Sequence, residues 1–254
     1  MALIHIDDLK RPHPTESELE RRKRHLSELR DLIPVTPSSP SPKGLAPGNS
    51  KTGISGTFFA TVFVWNLPAV ASCLGASEWC LTHCYNADPR TDVFPIHEWT
   101  ENWYWAKHHP ERLSAQIKTQ LAQAAHPTAV RVHSSGDFFS IDYVNFWRRL
   151  AEEHTSIAFW AYTRSWANPE LLLALSELER MPNVHLFASW DQTMPPPPQG
   201  WRRAYVVDTI EALSSVEDSF GFLPCPEQVQ ALPNCASCGF CIRRDSRSVG
   251  FLLH

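Results

Sequence analysis

Residues 129–163 read AVRVHSSGDFFSIDYVNFWRRLAEEHTSIAFWAYT, and this stretch decides the fold. Ala129–His133 is a short β-type run, Ile141–His154 repeats its apolar residues at helical spacing, and Ile157–Thr163 is a second β-type run. A strand, a helix and a strand, with a connection long enough for a right-handed crossover, predict a parallel βαβ unit. The same alternation extends in both directions. Thr57–Trp65, Val184–Ser189, Arg203–Val207 and Val249–Leu253 are further candidate strands. Ile96–Ala124, broken near Pro110, Pro169–Arg180 and a short piece at Thr209–Ser215 are the helical patterns between them. The expected class is α/β: a partial (β/α) barrel with a mostly parallel sheet, an N-terminal helix and a Cys-rich C-terminal segment.

The chain has 254 residues, 43% hydrophobic and 20% charged, with a formal net charge of −4. This balance excludes whole-chain disorder, and one core of this length buries roughly 70–75% of the unfolded surface. Met1 to Lys10 holds no apolar run of signal-peptide length, and no eighteen-residue apolar stretch occurs. The expected setting is a reducing cytoplasm, with no membrane partner. Thr15–Ile33 reads as a helix opened by a Thr15-x-x-Glu18 capping box. Its Arg21–Arg24 run is balanced by Glu16, Glu18, Glu20 and Glu28, so it reads as a solvated face. Residues 34–49, rich in Pro, Ser and Gly, form a linker or a strap over the surface. Gly48–Gly53 has Ser50 where a phosphate loop needs glycine before Lys51, which argues against nucleoside triphosphate binding. The expected organisation is a helix and linker over 1–49, a barrel core over 50–220, and a cysteine segment with the last strand over 221–254.

All seven cysteines fall into two groups. Cys73, Cys80 and Cys84 share one loop after the first long strand. Cys225, Cys235, Cys238 and Cys241 lie near the C-terminus, with a Cys-x2-Cys-x2-Cys run and a remote Cys followed by Pro226. An odd count excludes a complete disulfide set, and clustered thiols in a reducing compartment point to metal. Four thiolates close a 4Fe–4S cluster, whereas three leave one iron open. Two such clusters are expected, with a ribbon-like zinc site as the alternative at the C-terminal group. Zinc held by Cys80, His83 and Cys84, with Cys73 as a buried apolar residue, is the alternative at the first.

Cys73 to Cys84, followed by Tyr85 after the first strand of an alternating chain, resembles the cluster loop of the radical S-adenosylmethionine superfamily. The motifs Ser72-Cys73-Leu74-Gly75-Ala76 and Ser135-Gly136-Asp137-Phe138 resemble those of a phage- and plasmid-borne group of proteins. The loop's Cys-x6-Cys-x3-Cys spacing departs from the superfamily's commonest Cys-x3-Cys-x2-Cys. The resemblance implies that Ser135, Gly136 and Asp137, with Tyr85 and Arg164, bind S-adenosylmethionine, Asp137 contacting its amino group. Arg164 suits a carboxylate of cofactor or substrate, and Asp191 a ribose hydroxyl or Arg164 itself. Asp137, Arg164 and Asp191 are thus the candidate catalytic residues, all at one sheet edge if the strands are parallel. The competing reading makes Gly136-Asp137 a simple turn, with Asp137 or Ser140 capping the next helix, and Arg164 and Asp191 a structural ion pair. Trp79, Trp166 and Trp190 are expected to wall the site. Trp99, Trp103 and Trp147 are expected to pack, and His83 and His133 to be hydrogen-bonded structural residues.

The function expected from this reading is radical chemistry on a small-molecule or nucleic-acid-derived substrate, served by an electron donor. Two other classes stay open: a non-enzymatic iron–sulfur or zinc factor that engages nucleic acid or a host protein, and a desulfurase independent of S-adenosylmethionine.

Overall fold

The computed structural model describes residues 16–87, 96–207, 222–243 and 247–253. An eight-stranded sheet forms its centre, in the order β1-β2-β3-β4-β5-β6-β8-β7. The strands are β1 (Ala46–Pro47), β2 (Thr61–Trp65), β3 (Thr128–Val132), β4 (Ala158–Thr163), β5 (Val184–Trp190), β6 (Arg202–Val207), β7 (Phe222–Pro224) and β8 (Ser248–Leu252). Every pair is parallel except β1 with β2. The α/β class and the mostly parallel sheet agree with the sequence. The sheet is not closed into a barrel, because β1 and β7 end it as two separate edges.

Among the described residues the helices of six residues or more are α1 (Glu16–Arg30), α2 (Glu78–His83), α3 (Ile96–His108), α4 (Pro110–Gln123), α5 (Ile141–Glu153) and α6 (Pro169–Glu179), and a single helical turn spans Cys235–Cys238. Pro110 does separate α3 from α4. Ser140 caps α5 by accepting from the Tyr143 N–H at 3.2 Å, and Asn168 caps α6 by accepting from Glu170 at 3.0 Å. The helical piece at Thr209–Ser215 and the Thr15–Glu18 capping box lie outside the described residues or side chains.

Alternation along the strands divides the core in two. Val130, Val132, Phe159, Ala161, Leu186 and Ala188 face α3 to α6, meeting Leu113, Ile117, Tyr143, Trp147, Leu150 and Leu175. Burying side chains of this size contributes about 1.5–3 kcal/mol each. The opposite face carries Ala129, Trp160, Tyr162 and Phe187, and among the described residues no helix of the crossover type covers it. Phe59 and the C-terminal segment with Ala236, Phe240 and Ile242 lie there instead. Helices α3 to α6 thus occupy one face and the second cysteine group the other.

The 34–49 strap is held at the sheet edge. Leu45 donates to Gln120 Oε1 at 2.7 Å, Gln120 Nε2 donates back to the Leu45 carbonyl at 2.9 Å, and Ala46 pairs with Val64. No helix among the described residues is long and apolar enough to cross a membrane.

Candidate functional site

Because β2 to β5 run parallel, the segments after Trp65, Val132, Thr163 and Trp190 emerge at one edge, where α/β sheets place their ligands. The structure gathers Asp137, Arg164 and Asp191 there, with the first cysteine loop. Asn66 organises the approach by accepting from the Ser134 and Ser135 N–H groups at 2.8 and 3.0 Å. Ser72 donates to the Pro68 carbonyl at 2.7 Å and accepts from the Asp137 N–H at 3.3 Å. Gly136 has φ +81°, and a Cβ there would stand 2.6 Å from Leu67 Cβ and 2.7 Å from Ser72 Oγ. The Ser72 and Gly136 motifs therefore interlock. Val70 and His133 flank them at φ +69° and +68°, a conformation costly for such side chains and concentrated at functional sites.

Asp137 is buried and accepts four hydrogen bonds. Oδ1 takes the Thr163 hydroxyl at 2.6 Å and the Phe138 N–H at 2.8 Å. Oδ2 takes the Arg164 and Ser165 N–H groups at 2.8 and 3.2 Å. The carboxylate ties the loop after β3 to the end of β4, and burial pushes its carboxyl above the ordinary range against those donors.

Arg164 pairs through Nη1 with Asp191 Oδ2, both buried. The same Nη1 reaches Ser77 Oγ at 3.4 Å and Met194 Sδ at 2.8 Å. Asp191 also accepts from the Ser77 hydroxyl at 2.5 Å and from the Thr193 N–H at 2.8 Å. Burial alone would raise Asp191, yet the Ser77 and Thr193 hydroxyls and the Arg164 guanidinium outweigh it and hold the carboxyl below its usual range. Ser77 in turn caps α2, accepting from the Cys80 N–H at 3.0 Å. The sequence placed 73–84 in a loop, and this helical turn within it is what connects Cys80 to Arg164 and Asp191.

Gly75 completes the docking, since a Cβ there would sit 1.9 Å from the Arg164 carbonyl oxygen, which is backbone and cannot swing away. Gly75→Ala is expected to destabilise the chain by about 1–3 kcal/mol, the usual range for an overpacked site, and to weaken any ligand held by Cys73 and Cys80. Urea unfolding checks it; an unchanged midpoint would show that the loop docks loosely.

Tyr85 donates to the Ser134 carbonyl at 2.6 Å, and Asn86 joins it at 2.9 Å. Tyr85 thus fastens the far end of the loop to β3, while Ser135 lies buried at the junction with Asn66. His83 stacks on Trp79 with ring centroids 4.4 Å apart and meets the Trp79 carbonyl through Nδ1. Trp166 is buried in the helix-side core, and its Nε1 donates to the Ser189 carbonyl at 3.0 Å, next to Trp190. Trp190 meets Tyr205 at a tilt of 48°, with centroids 4.8 Å apart. Burial and then Asp137, Cys84 and Cys80 push the Cys73 thiol well up, and burial takes Cys80 to about 11.

The second group sits on the open face of the sheet. Cys225, Cys235, Cys238 and Cys241 line a single cavity with Tyr162, Arg131, Lys51 and Glu227. Tyr162 donates to Cys241 Sγ at 2.8 Å. Burial raises Cys235 to about 11 and Cys241 to about 12. The Gly48–Gly53 stretch, which resembled a phosphate loop, holds this segment: the Lys51 and Thr52 carbonyls accept from the Cys235 and Ala236 N–H groups at 3.0 and 2.8 Å. Arg131, not singled out in the sequence, is a charge inside a strand buried along its length. A lone cation within an apolar β-run was the available signal. Among the described residues no three His, Cys, Asp or Glu side chains are grouped so as to hold a metal ion, and all seven cysteines are free.

No solved structure matches the chain. Residues 41–244 match the model of the family described as GP88, Gene product 88. The Gene 88 protein of Mycobacterium phage L5 is 32% identical over 128 residues, covering 46% of this chain and 51% of that protein. The Gene 88 protein of Mycobacterium phage D29 is 37% identical over 65 residues, covering 26% of this chain and 25% of that protein. The chain therefore spans about half the length of the first of these relatives and a quarter of the second. These findings overturn the assignment by resemblance to the radical S-adenosylmethionine superfamily, which rested on a cysteine loop of aberrant spacing; the relatives found are phage proteins. With four-fifths of its length matched by one family, the chain belongs to the gene product 88 family.

Proposed function

We propose that the chain is an iron–sulfur protein whose open sheet acts as a partial (β/α) barrel. Cys73, Cys80 and Cys84 form a three-thiolate site with an open position, and Cys225, Cys235, Cys238 and Cys241 a closed one. The observation that carries this reading is the lining of one cavity by all four thiols of the 225–241 segment. Thiols with raised proton affinity are poor nucleophiles, and as plain packing groups they would do no more than alanine. A metal reverses that, because its charge makes buried thiolates favourable. A single zinc ion asks four sulfurs to converge at about 2.3 Å from one point. Four thiolates can equally each bind one iron of a four-iron cluster, and the Cys-x2-Cys-x2-Cys run with a fourth Cys beside Pro226 is the ligand set that favours the cluster.

A bound cluster supplies one-electron transfer and, at an open iron, a place for an external donor atom. The chain's own part is to hold and shield. Ser77 and the Arg164–Asp191 pair fix Cys80, Asp137 fixes the loop beneath it, and Tyr85 anchors the exit of the loop.

Protein purified without oxygen is expected to carry about eight iron and eight sulfide per chain, the content of two four-iron clusters. Replacing Cys73, Cys80 and Cys84 together by alanine is expected to remove about half, with the fold retained. One zinc per chain without sulfide would overturn the reading. With the clusters loaded, 5′-deoxyadenosine formed from S-adenosylmethionine under reduction would identify radical chemistry at the open position, and sulfide release from a thiolated substrate without it would identify a desulfurase.

A further inference from the structure

Arg131 stands within β3 and is 8% exposed. Its Nε donates to the His133 carbonyl at 3.2 Å, and its guanidinium lies 4.5 Å above the Tyr162 ring. Neither contact removes its charge, and among the described residues no carboxylate is within ion-pair distance of it. A buried, uncompensated cation costs several kcal/mol, and arginine does not escape by losing its proton. Something anionic is expected to face it. The cavity that Arg131 lines is the one lined by Cys225, Cys235, Cys238 and Cys241. Lys51, the other cation on that wall, is already engaged by Glu227 at 3.4 Å. Arg202 acts on Cys241 and Arg243 on Cys238 from the outer side, where both also donate to backbone carbonyls. Tyr162, directly beneath Arg131, spends its hydroxyl proton on Cys241 Sγ.

We infer that Arg131 and Tyr162 make the C-terminal four-cysteine site an electron-accepting centre by stabilising its more negative state. The inference rests on the iron–sulfur reading. In the step concerned, a low-potential one-electron donor loses an electron and the centre gains it, so the centre becomes more negative by one charge; no bond or proton moves. A fixed cation and a hydrogen bond to a ligand sulfur both favour that product and raise the reduction potential. Arg131 is a positioning residue in this sense: it touches neither substrate nor reacting bond.

The test uses the full chain carrying alanine at Cys73, Cys80 and Cys84, reconstituted without oxygen, so that one centre remains. Its midpoint potential is read by electron paramagnetic resonance during a dithionite titration. Arg131→Met is expected to make reduction at least tenfold less favourable, 59 mV for a one-electron couple, with iron and sulfide content unchanged. Tyr162→Phe is expected to shift it the same way by less, and Arg131→Lys to restore most of the loss. Loaded variants with an unmoved potential would overturn this inference and leave the iron–sulfur reading standing. Parent protein that takes up no iron would overturn both. Where Arg131→Met fails to fold, the Tyr162→Phe and Arg131→Lys potentials decide, and an upward shift in the former counts against the inference.

Discussion

Asp137→Ala is expected to cost at least about 3 kcal/mol of stability, because each buried donor left without a partner costs about 1–3 kcal/mol. The substitution strands the Thr163 hydroxyl and the N–H groups of Phe138 and Arg164 at once, and leaves the Ser165 N–H only its 3.0 Å bond to Thr163 Oγ1. Asparagine is expected to rescue only part of the loss. Its amide offers one acceptor oxygen, and in either orientation its NH2 points at groups that are themselves donors. Urea unfolding with the coincidence of fluorescence and circular dichroism checked would measure both variants. A loss under about 1 kcal/mol for alanine would show that the loop after β3 re-forms around water. The pH dependence has a definite sign. Folding raises the Asp137 carboxyl above its unfolded value, so this group alone disfavours the folded state near neutrality and does so less as pH falls through the folded pKa. The gap between wild type and Asp137→Asn is therefore expected not to close through Asp137 titration on moderate acidification.

The same residue shows what the sequence discloses and what it withholds. Strand and helix periods located β2 to β6 and β8, and with them the edge at which Asp137, Arg164 and Asp191 meet, since period and crossover length are local properties of the chain. What a side chain spends its hydrogen bonds on is not local. Asp137 next to a glycine reads equally as a ligand contact or a turn, and only the position of β4 commits both its oxygens. The capping alternative was half right: Ser140, not Asp137, caps α5. Closure of the sheet was also beyond reach, because it depends on twist and edge pairing, and neither the two-residue β1 nor β7 has a pattern long enough to register. Arg131 was legible only as an anomaly. A cation inside Thr128–Val132 costs too much to be incidental, yet its surroundings come from Lys51, Tyr162 and the cysteines, all remote in sequence.

Arg164→Met is expected to destabilise the chain by about 3–5 kcal/mol, the range for removing one partner of a buried ion pair. Asp191 would remain at 0% exposure with only the Ser77 and Thr193 groups to support its charge. Asp191→Leu alone is expected to be comparably costly, since it strands the guanidinium. The double variant is expected to be less destabilised than the sum of the two by about 0.5–3 kcal/mol, the coupling found for side chains in direct contact. Additive losses would mean that the pair does not act as a unit. The carboxyl of Asp191 lies below its usual range, so its contribution is complete above the unfolded value of about 3.9 and is lost as pH falls through the folded pKa. The stability gap between wild type and Asp191→Asn is thus expected to be constant from pH 7 to pH 5 and to narrow below pH 4, opposite in sign to the Asp137 titration. The effect reaches the metal site through one atom. Ser77 Oγ touches Arg164, Asp191 and the Cys80 N–H, so loosening the pair frees the N-terminus of α2. Iron is then expected to be lost from the Cys73, Cys80 and Cys84 site while the four-cysteine site, on the other side of the β4 end, keeps its own; equal loss from both would show that the pair supports the fold and nothing more local.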